Sequence, residues 1–195
     1  MIITKKKFKE LPDFPSYYQL SLDLFAKGKT TGANQNEAYL HYTKLSLART
    51  KRGLKTLFPS DELKSTAANS SRKNWLLITE AWCGDAGNIV PMIANLAEAI
   101  KEVDLRIALR DEHPEIMDHF LTNGSRSIPI FVAMNSDMEY ASHWGPRPRP
   151  AQKMVMNNKN NPQVSTEEFQ VQLQKWYLED RGATLDKELV EYLKL

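Results

Sequence analysis

Trp75-Leu76-Leu77-Ile78-Thr79-Glu80-Ala81-Trp82-Cys83-Gly84-Asp85-Ala86 is the stretch whose reading decides the fold. Its opening is a short continuous apolar run rather than an alternating one, the pattern of a central strand covered on both faces. After Ala86, the residues Ile89, Ile93, Leu96 and Ile100 recur at helical spacing, which predicts a helix, kinked near its start by Pro91. Cys83 thus falls at a strand-to-helix junction. Unpaired N–H groups at a helix start stabilise an anion, so the position favours a reactive thiolate, while the like charge of Asp85 opposes it.

Downstream, Leu105 to Leu109 alternates as a strand, and His113 to Leu121 reads as a helix ended near Asn123-Gly124. Ile130 to Met134, a polar turn at Asn135-Ser136-Asp137, and residues 139–144 read as two strands of a hairpin, where the sheet switches from parallel to antiparallel. Pro146, Pro148 and Pro150 alternate with Arg147 and Arg149, which predicts an extended connector and then a polar loop over residues 157–162. Ser165 with Glu168 forms a capping box for a helix carrying Phe169, Leu173 and Trp176, ended by Gly182, and a last amphipathic turn follows Thr184.

Upstream, Asp13 before Pro15 starts a helix that Gly28 stops, and Asn34 with Glu37 resembles a capping box for a second. Ser60 caps a brief third. The division expected is a helical N-terminal extension over residues 1–73, an α/β core over residues 74–150, and a loop with C-terminal helices over residues 151–195 that complete the same domain.

Trp82-Cys83-Gly84 after an apolar strand resembles the active-site turn of thioredoxins. Pro91, eight residues after Cys83, matches the proline of their active-site helix. Ser127-Ile128-Pro129 resembles their isoleucine and cis-proline opposite the cysteine turn, and Gly145 matches a glycine beside the same groove. Four elements in order are more specific than any one alone. The chain as a whole is similar to a bacterial group of thioredoxin-like proteins with Trp-Cys-Gly-Asp motifs and helical N-terminal extensions. The resemblance implies a thioredoxin-like α/β fold, a central mixed sheet flanked by helices.

The departures bear on function. Ala86 stands where thioredoxins carry their second cysteine, so intramolecular release of a mixed disulfide is excluded. Leu77 stands where they carry a buried acid. The resemblance implies a monothiol exchange protein with Cys83 as nucleophile, no cofactor, and glutathione or another external thiol as co-substrate. Its partners would be thiols or disulfides of a protein or small molecule. The competing reading is a non-catalytic module that binds a peptide or protein in the groove beside Cys83 and Pro129. A one-cysteine peroxidase is disfavoured by Leu76 and Glu80 ahead of the cysteine, and a monothiol glutaredoxin by the absence of a Cys-Gly-Phe-Ser turn.

Each candidate has a plainer alternative. A lone cysteine is commonly a small buried hydrophobe. Trp82 packs as readily as it shields a thiol. Asp85 suits a helix cap better than proton transfer, and Glu80 is a second acid near the thiol. Arg126 is placed to meet an anionic group such as a glutathione or peptide carboxylate, or simply faces solvent. The turn at Arg110-Asp111-Glu112 reads as an exposed ion-paired loop, and Arg147 and Arg149 as part of a solvated spacer. Gly84, Ala86, Ile128 and Gly145 complete the expected binding surface.

The 26 basic and 24 acidic side chains nearly cancel, leaving no field to attract nucleic acid or an anionic membrane. No apolar run suits a leader peptide or a membrane span, and the single cysteine cannot form an internal disulfide, so the expectation is a cytoplasmic protein. The four histidines show no ligand spacing with Cys83, so no metal site is expected.

Overall fold

The segment Asn74–Thr79 (β1) lies at the centre of a three-stranded sheet of order β2-β1-β3, and Trp75 through Thr79 are fully buried. The computed structural model describes residues 2–195. Preceding β1 are helices α1 (Lys5–Glu10), α2 (Phe14–Ala26), α3 (Glu37–Thr56) and α4 (Asp61–Asn69). After it come α5 (Ala86–Glu98), β2 (Asp104–Leu109), the short α6 (Pro114–Met117) with a 3₁₀ turn over Asp118–Phe120, β3 (Ile130–Met134), α7 (Arg149–Asn160), α8 (Thr166–Asp180) and α9 (Ala183–Lys194). None of these helices is long and apolar enough to cross a membrane.

β2 runs parallel to β1, as the intervening helix α5 requires, and β3 runs antiparallel to it. Both outer edges are partly covered. Ile107 donates its N–H to the Pro12 carbonyl (2.9 Å) beside an Asp13–Arg106 bridge, so the N-terminal segment shields β2. Phe131 and Trp144 exchange backbone hydrogen bonds of 2.8 and 2.9 Å along the free side of β3.

That exchange is all that forms of the expected hairpin arm over residues 139–144. The Tyr192 hydroxyl accepts from the Ala133 N–H (2.8 Å) and donates to the Ser142 carbonyl (3.0 Å), so a side chain from α9 stands where the next rung of the ladder would be. The turn before it is tight: the Asn135 side chain accepts from the Asp137 and Glu139 N–H groups, and Met138 is held at φ +63° with its side chain buried.

Other expectations shift locally. The cap of α3 is Asn36, which accepts from the Tyr39 N–H at 2.9 Å, whereas Asn34 accepts from Asn36 itself. The proline-rich stretch is not a solvated spacer through Pro150: α7 begins at Arg149 with Pro150 in its first turn, where a missing N–H costs nothing, and it runs through most of the expected polar loop. The last turn is a full helix, α9, which buries Leu185, Leu189 and Leu193 on one face. The short basic helix α1 had no sequence expectation; Thr4 caps it and Phe8 anchors it in the core.

α3 lies close against α5. A Cβ on Gly87 would come within 2.8 Å of the Ser46 carbonyl oxygen and 2.9 Å of the Arg49 Cβ, so glycine there lets the two helices touch. This contact brings α3 over the cysteine turn.

Candidate functional site

Cys83 is buried at 7 % exposure, and its thiol donates to the Ile128 carbonyl at 3.4 Å. The Ile128–Pro129 peptide is cis. Behind it, Gly145 sits at φ +123°, and a Cβ there would lie 2.4 Å from the Pro129 carbonyl oxygen. Burial first, and then the charge of Asp85, push the Cys83 thiol up to about 12. Hydrogen bonds from the Ala86 and Asp85 backbones and the charge of Arg147 pull the other way without prevailing. The helix-start position therefore does not yield a thiolate at neutral pH, because desolvation outweighs the N-terminal field.

Asp85 occupies the N-cap position of α5, but its side chain makes no capping hydrogen bond. Its carboxylate takes the Tyr177 hydroxyl at 2.9 Å and the guanidinium of Arg147 at 2.7 and 2.8 Å. Burial works against the charge on Arg147, but Asp85 outweighs it and the arginine's pKa is raised. The connector arginine, expected in solvent, instead fixes the residue two positions after the cysteine.

A cavity of about 490 Å³ opens above the thiol. Trp82, Cys83, Gly84, Asp85, Arg126 and Ile128 all line it. Ala86, Pro129 and Gly145 do not: Ala86 instead lines a separate small cavity with Tyr17 and Val90, and the Pro129–Gly145 contact forms the backing of the Ile128 turn. The far walls come from the helical ends of the chain. Tyr42, Leu45 and Arg49 of α3 face Phe169, Leu173 and Tyr177 of α8 across the cavity. The Gln170 side chain donates to the Tyr42 hydroxyl (3.0 Å), joining α8 to α3, and Asn88 and Gln174 exchange amide hydrogen bonds of 3.0 and 3.1 Å that join α5 to α8.

Four arginines border this cavity. Arg110 stacks on the Trp82 ring at 4.5 Å and pairs with Asp111, and Arg126 pairs with Asp118 in an exposed contact. Arg147 is held by Asp85. Arg49 makes one hydrogen bond, from Nη1 to the Gly84 carbonyl at 3.2 Å, and among the described residues no carboxylate forms an ion pair with it. Trp82 also packs against Tyr39 with ring centroids 4.7 Å apart, and its buried indole N–H has no partner.

Glu80 is fully buried. The Thr31 hydroxyl and the Asp111 N–H (2.9 Å) donate to its two carboxylate oxygens, and burial pushes its pKa up to about 7. Thr31 in turn accepts from the Ala81 N–H at 2.9 Å, so this acid ties the loop ahead of α3 to the ends of β1 and β2. Leu77, where a buried acid stands in the resembling family, is fully buried. Among the described residues no three His, Cys, Asp or Glu side chains gather as a metal-binding group.

Sequence reasoning missed Arg49 and Tyr177, and it named Phe169 and Leu173, with Trp176, only as the apolar face of a helix; Leu173 and Trp176 do pack against the core. Phe169, Leu173 and Tyr177 lie four residues apart, one face of a helix, but the spacing alone reads as core rather than as a cavity wall. Nothing in the sequence marks Arg49, which reaches the site only through the close approach of two helices.

Residues 32–165, more than two thirds of the chain, match a family model described as thioredoxin. A search of solved structures finds the crystal structure of a protein of unknown function from Pseudomonas aeruginosa, 13% identical with a TM-score of 0.62 and 98% of each chain covered. It also finds an HIV epitope-scaffold, 13% identical with a TM-score of 0.60 and the same coverage. At such identity these two likenesses concern the fold alone. A comparison with curated proteins finds no match.

Proposed function

The chain belongs to the thioredoxin family, and from that premise we propose that the cavity over Cys83 is a binding site in which the cysteine acts as a neutral thiol contact rather than as a resting nucleophile. The observation that carries this reading is the state of the sulfur: it is buried, and its proton is given to the Ile128 carbonyl. The attacking species in disulfide exchange is the thiolate, and with the thiol pushed up to about 12 the thiolate is scarce at neutral pH. Support also comes from Ala86, which does not line the cavity and offers no resolving group there. The occupant fills a space bounded by the family core on one side and by α3 and α8 on the other.

A second reading, monothiol exchange, is favoured by one observation: Cys83 lines the same cavity as Trp82 and Ile128, so a disulfide bound there would meet the sulfur. The thiol would lose its proton to solvent, attack one sulfur of R–S–S–R′, and release R′–S⁻, which takes up a proton. An external thiol would then displace R–S from Cys83.

Incubation with oxidised glutathione followed by intact-mass measurement separates the two. The binding reading expects the unmodified mass, with ligand binding retained when Cys83→Ser replaces the thiol by a hydroxyl. A stoichiometric glutathione adduct on Cys83, together with dithiol reductase activity gained by Ala86→Cys, would overturn it in favour of exchange.

A further inference from the structure

We propose that the cavity over Cys83 takes a small amphipathic anion, an apolar body held between α3 and α8 with a carboxylate, sulfonate or phosphate head on Arg49. This rests on the binding reading above and adds the chemical class of the ligand.

The argument begins with charge. Asp85 is the one acidic side chain lining the cavity, and both of its oxygens are engaged, by Tyr177 and by Arg147. That pair neutralises itself. Arg49 is left half-buried, with a single hydrogen bond to a backbone carbonyl and its remaining donors directed to no protein acceptor among the described residues. Burial lowers its pKa, and the charge of Asp85 opposes that change without contacting it. A partly desolvated guanidinium without a carboxylate is costly unless something anionic answers it, and its fork suits a two-oxygen acceptor. Arg110 and Arg126 also line the cavity, but Asp111 and Asp118 neutralise them as Asp85 does Arg147, which leaves Arg49 as the cation in the lining without an ion-pair partner among the described residues.

Shape and apolar lining set the rest. Leu45, Val155, Phe169 and Leu173 are half-exposed and face the same space, next to the Trp82 ring. Cavities of about 300 to 1,000 Å³ suit a small molecule, and this one, at about 490 Å³, is spanned in its lining by the Tyr42–Gln170 and Asn88–Gln174 hydrogen bonds. The occupant is therefore a compact molecule with one charged end.

The test is a fluorescence titration of the full chain with two probes of similar body: 8-anilinonaphthalene-1-sulfonate, which carries an anionic head, and N-phenyl-1-naphthylamine, which does not. The expected result is that the sulfonate binds on the order of tenfold more tightly, one charge-assisted contact's worth, and that raising salt shrinks the difference. Arg49→Gln should remove the preference while leaving the neutral probe's affinity unchanged, whereas Lys44→Gln, which removes the same charge from the exposed side of α3, should not. Leu173→Trp should block both probes. Equal binding of both probes to the wild type, blocked by Leu173→Trp, would overturn the anion assignment and leave the binding site standing. Failure of both probes to bind would overturn the anion assignment and the binding site together. If Arg49→Gln does not fold, persistence of the sulfonate preference at high salt in the wild type contradicts the proposal by itself.

Discussion

Asp85 and Arg147, on opposite sides of the family core in sequence, form a largely buried ion pair in which Nε (2.8 Å) and Nη2 (2.7 Å) of the arginine both reach Oδ2 of the carboxylate. Tyr177 of α8 donates to the other oxygen at 2.9 Å. One side chain thus fastens the cysteine turn to the loop before α7 and to α8, and its negative charge is among the causes that hold Cys83 protonated.

Asp85→Asn should therefore act twice. It leaves the Arg147 guanidinium buried without its partner, which costs about 3 kcal/mol when one member of such a pair is removed. It also lowers the pKa of the Cys83 thiol, by deleting the second-largest cause of its rise and freeing a nearby cation. A lower urea midpoint together with faster iodoacetamide modification at a fixed pH is the expected pair of results; slower modification in a folded variant would contradict the electrostatic account.

Glu80 gives the protein a pH dependence of the less common sign. With its pKa near 7 in the folded chain against 4.5 for the ordinary carboxyl, the folded state holds more protons than the unfolded state between those limits. Stability should then fall as pH rises from about 4.5 to about 7, by up to about 3 kcal/mol, and level off above that. Glu80→Gln can still accept from the Asp111 N–H and donate to the Thr31 hydroxyl, so its urea midpoints should lose most of this slope. An unchanged slope in the variant would show that another group carries it.

Gly145→Ala should destabilise the chain by upwards of about 2 kcal/mol, because the backbone is at φ +123° and the new methyl would lie 2.4 Å from the Pro129 carbonyl oxygen. Gly124→Ala is the matched comparison: φ is +75° but nothing lies within 4 Å of the added carbon, so the cost should stay near about 1 kcal/mol. Thermal melts of the two variants, if indistinguishable, would contradict the close packing behind the Ile128 turn.

Gln170→Ala removes the side-chain hydrogen bond to Tyr42 that joins α8 to α3. The pair is exposed, so stability should change by no more than about 0.5 kcal/mol. Access should change more: modification of Cys83 by a bulky aryl maleimide should quicken, and that by iodoacetamide should not. Equal rates for variant and wild type with the maleimide would mean that the contact does not limit entry.

The parts of the fold legible in the sequence are those decided by local pattern. The apolar runs at β1 and β3, the periodicity of α5, and the caps Asp13, Ser60 and Ser165 all specify structure from neighbouring residues alone. What could not be read depends on distant partners. The strand expected over residues 139–144 is displaced by a hydroxyl from Tyr192 in the last helix. Arg147, in a proline-rich stretch that reads as solvated, is drawn in by Asp85. The thiol's position at a helix start was legible, yet its protonation state depends on how much chain covers it, and that cover comes from α3 and α8 at opposite ends of the sequence.

The most direct measurement is the pH profile of iodoacetamide modification of the wild-type chain, which reports on Cys83 alone because it is the single cysteine. A buried thiol pushed up to about 12 predicts a rate that is slow at neutral pH and still climbing with each step beyond about pH 9, with no plateau. A rate that levels off with its midpoint at or below about pH 8 would mean a ready thiolate in the cavity, and would contradict the account.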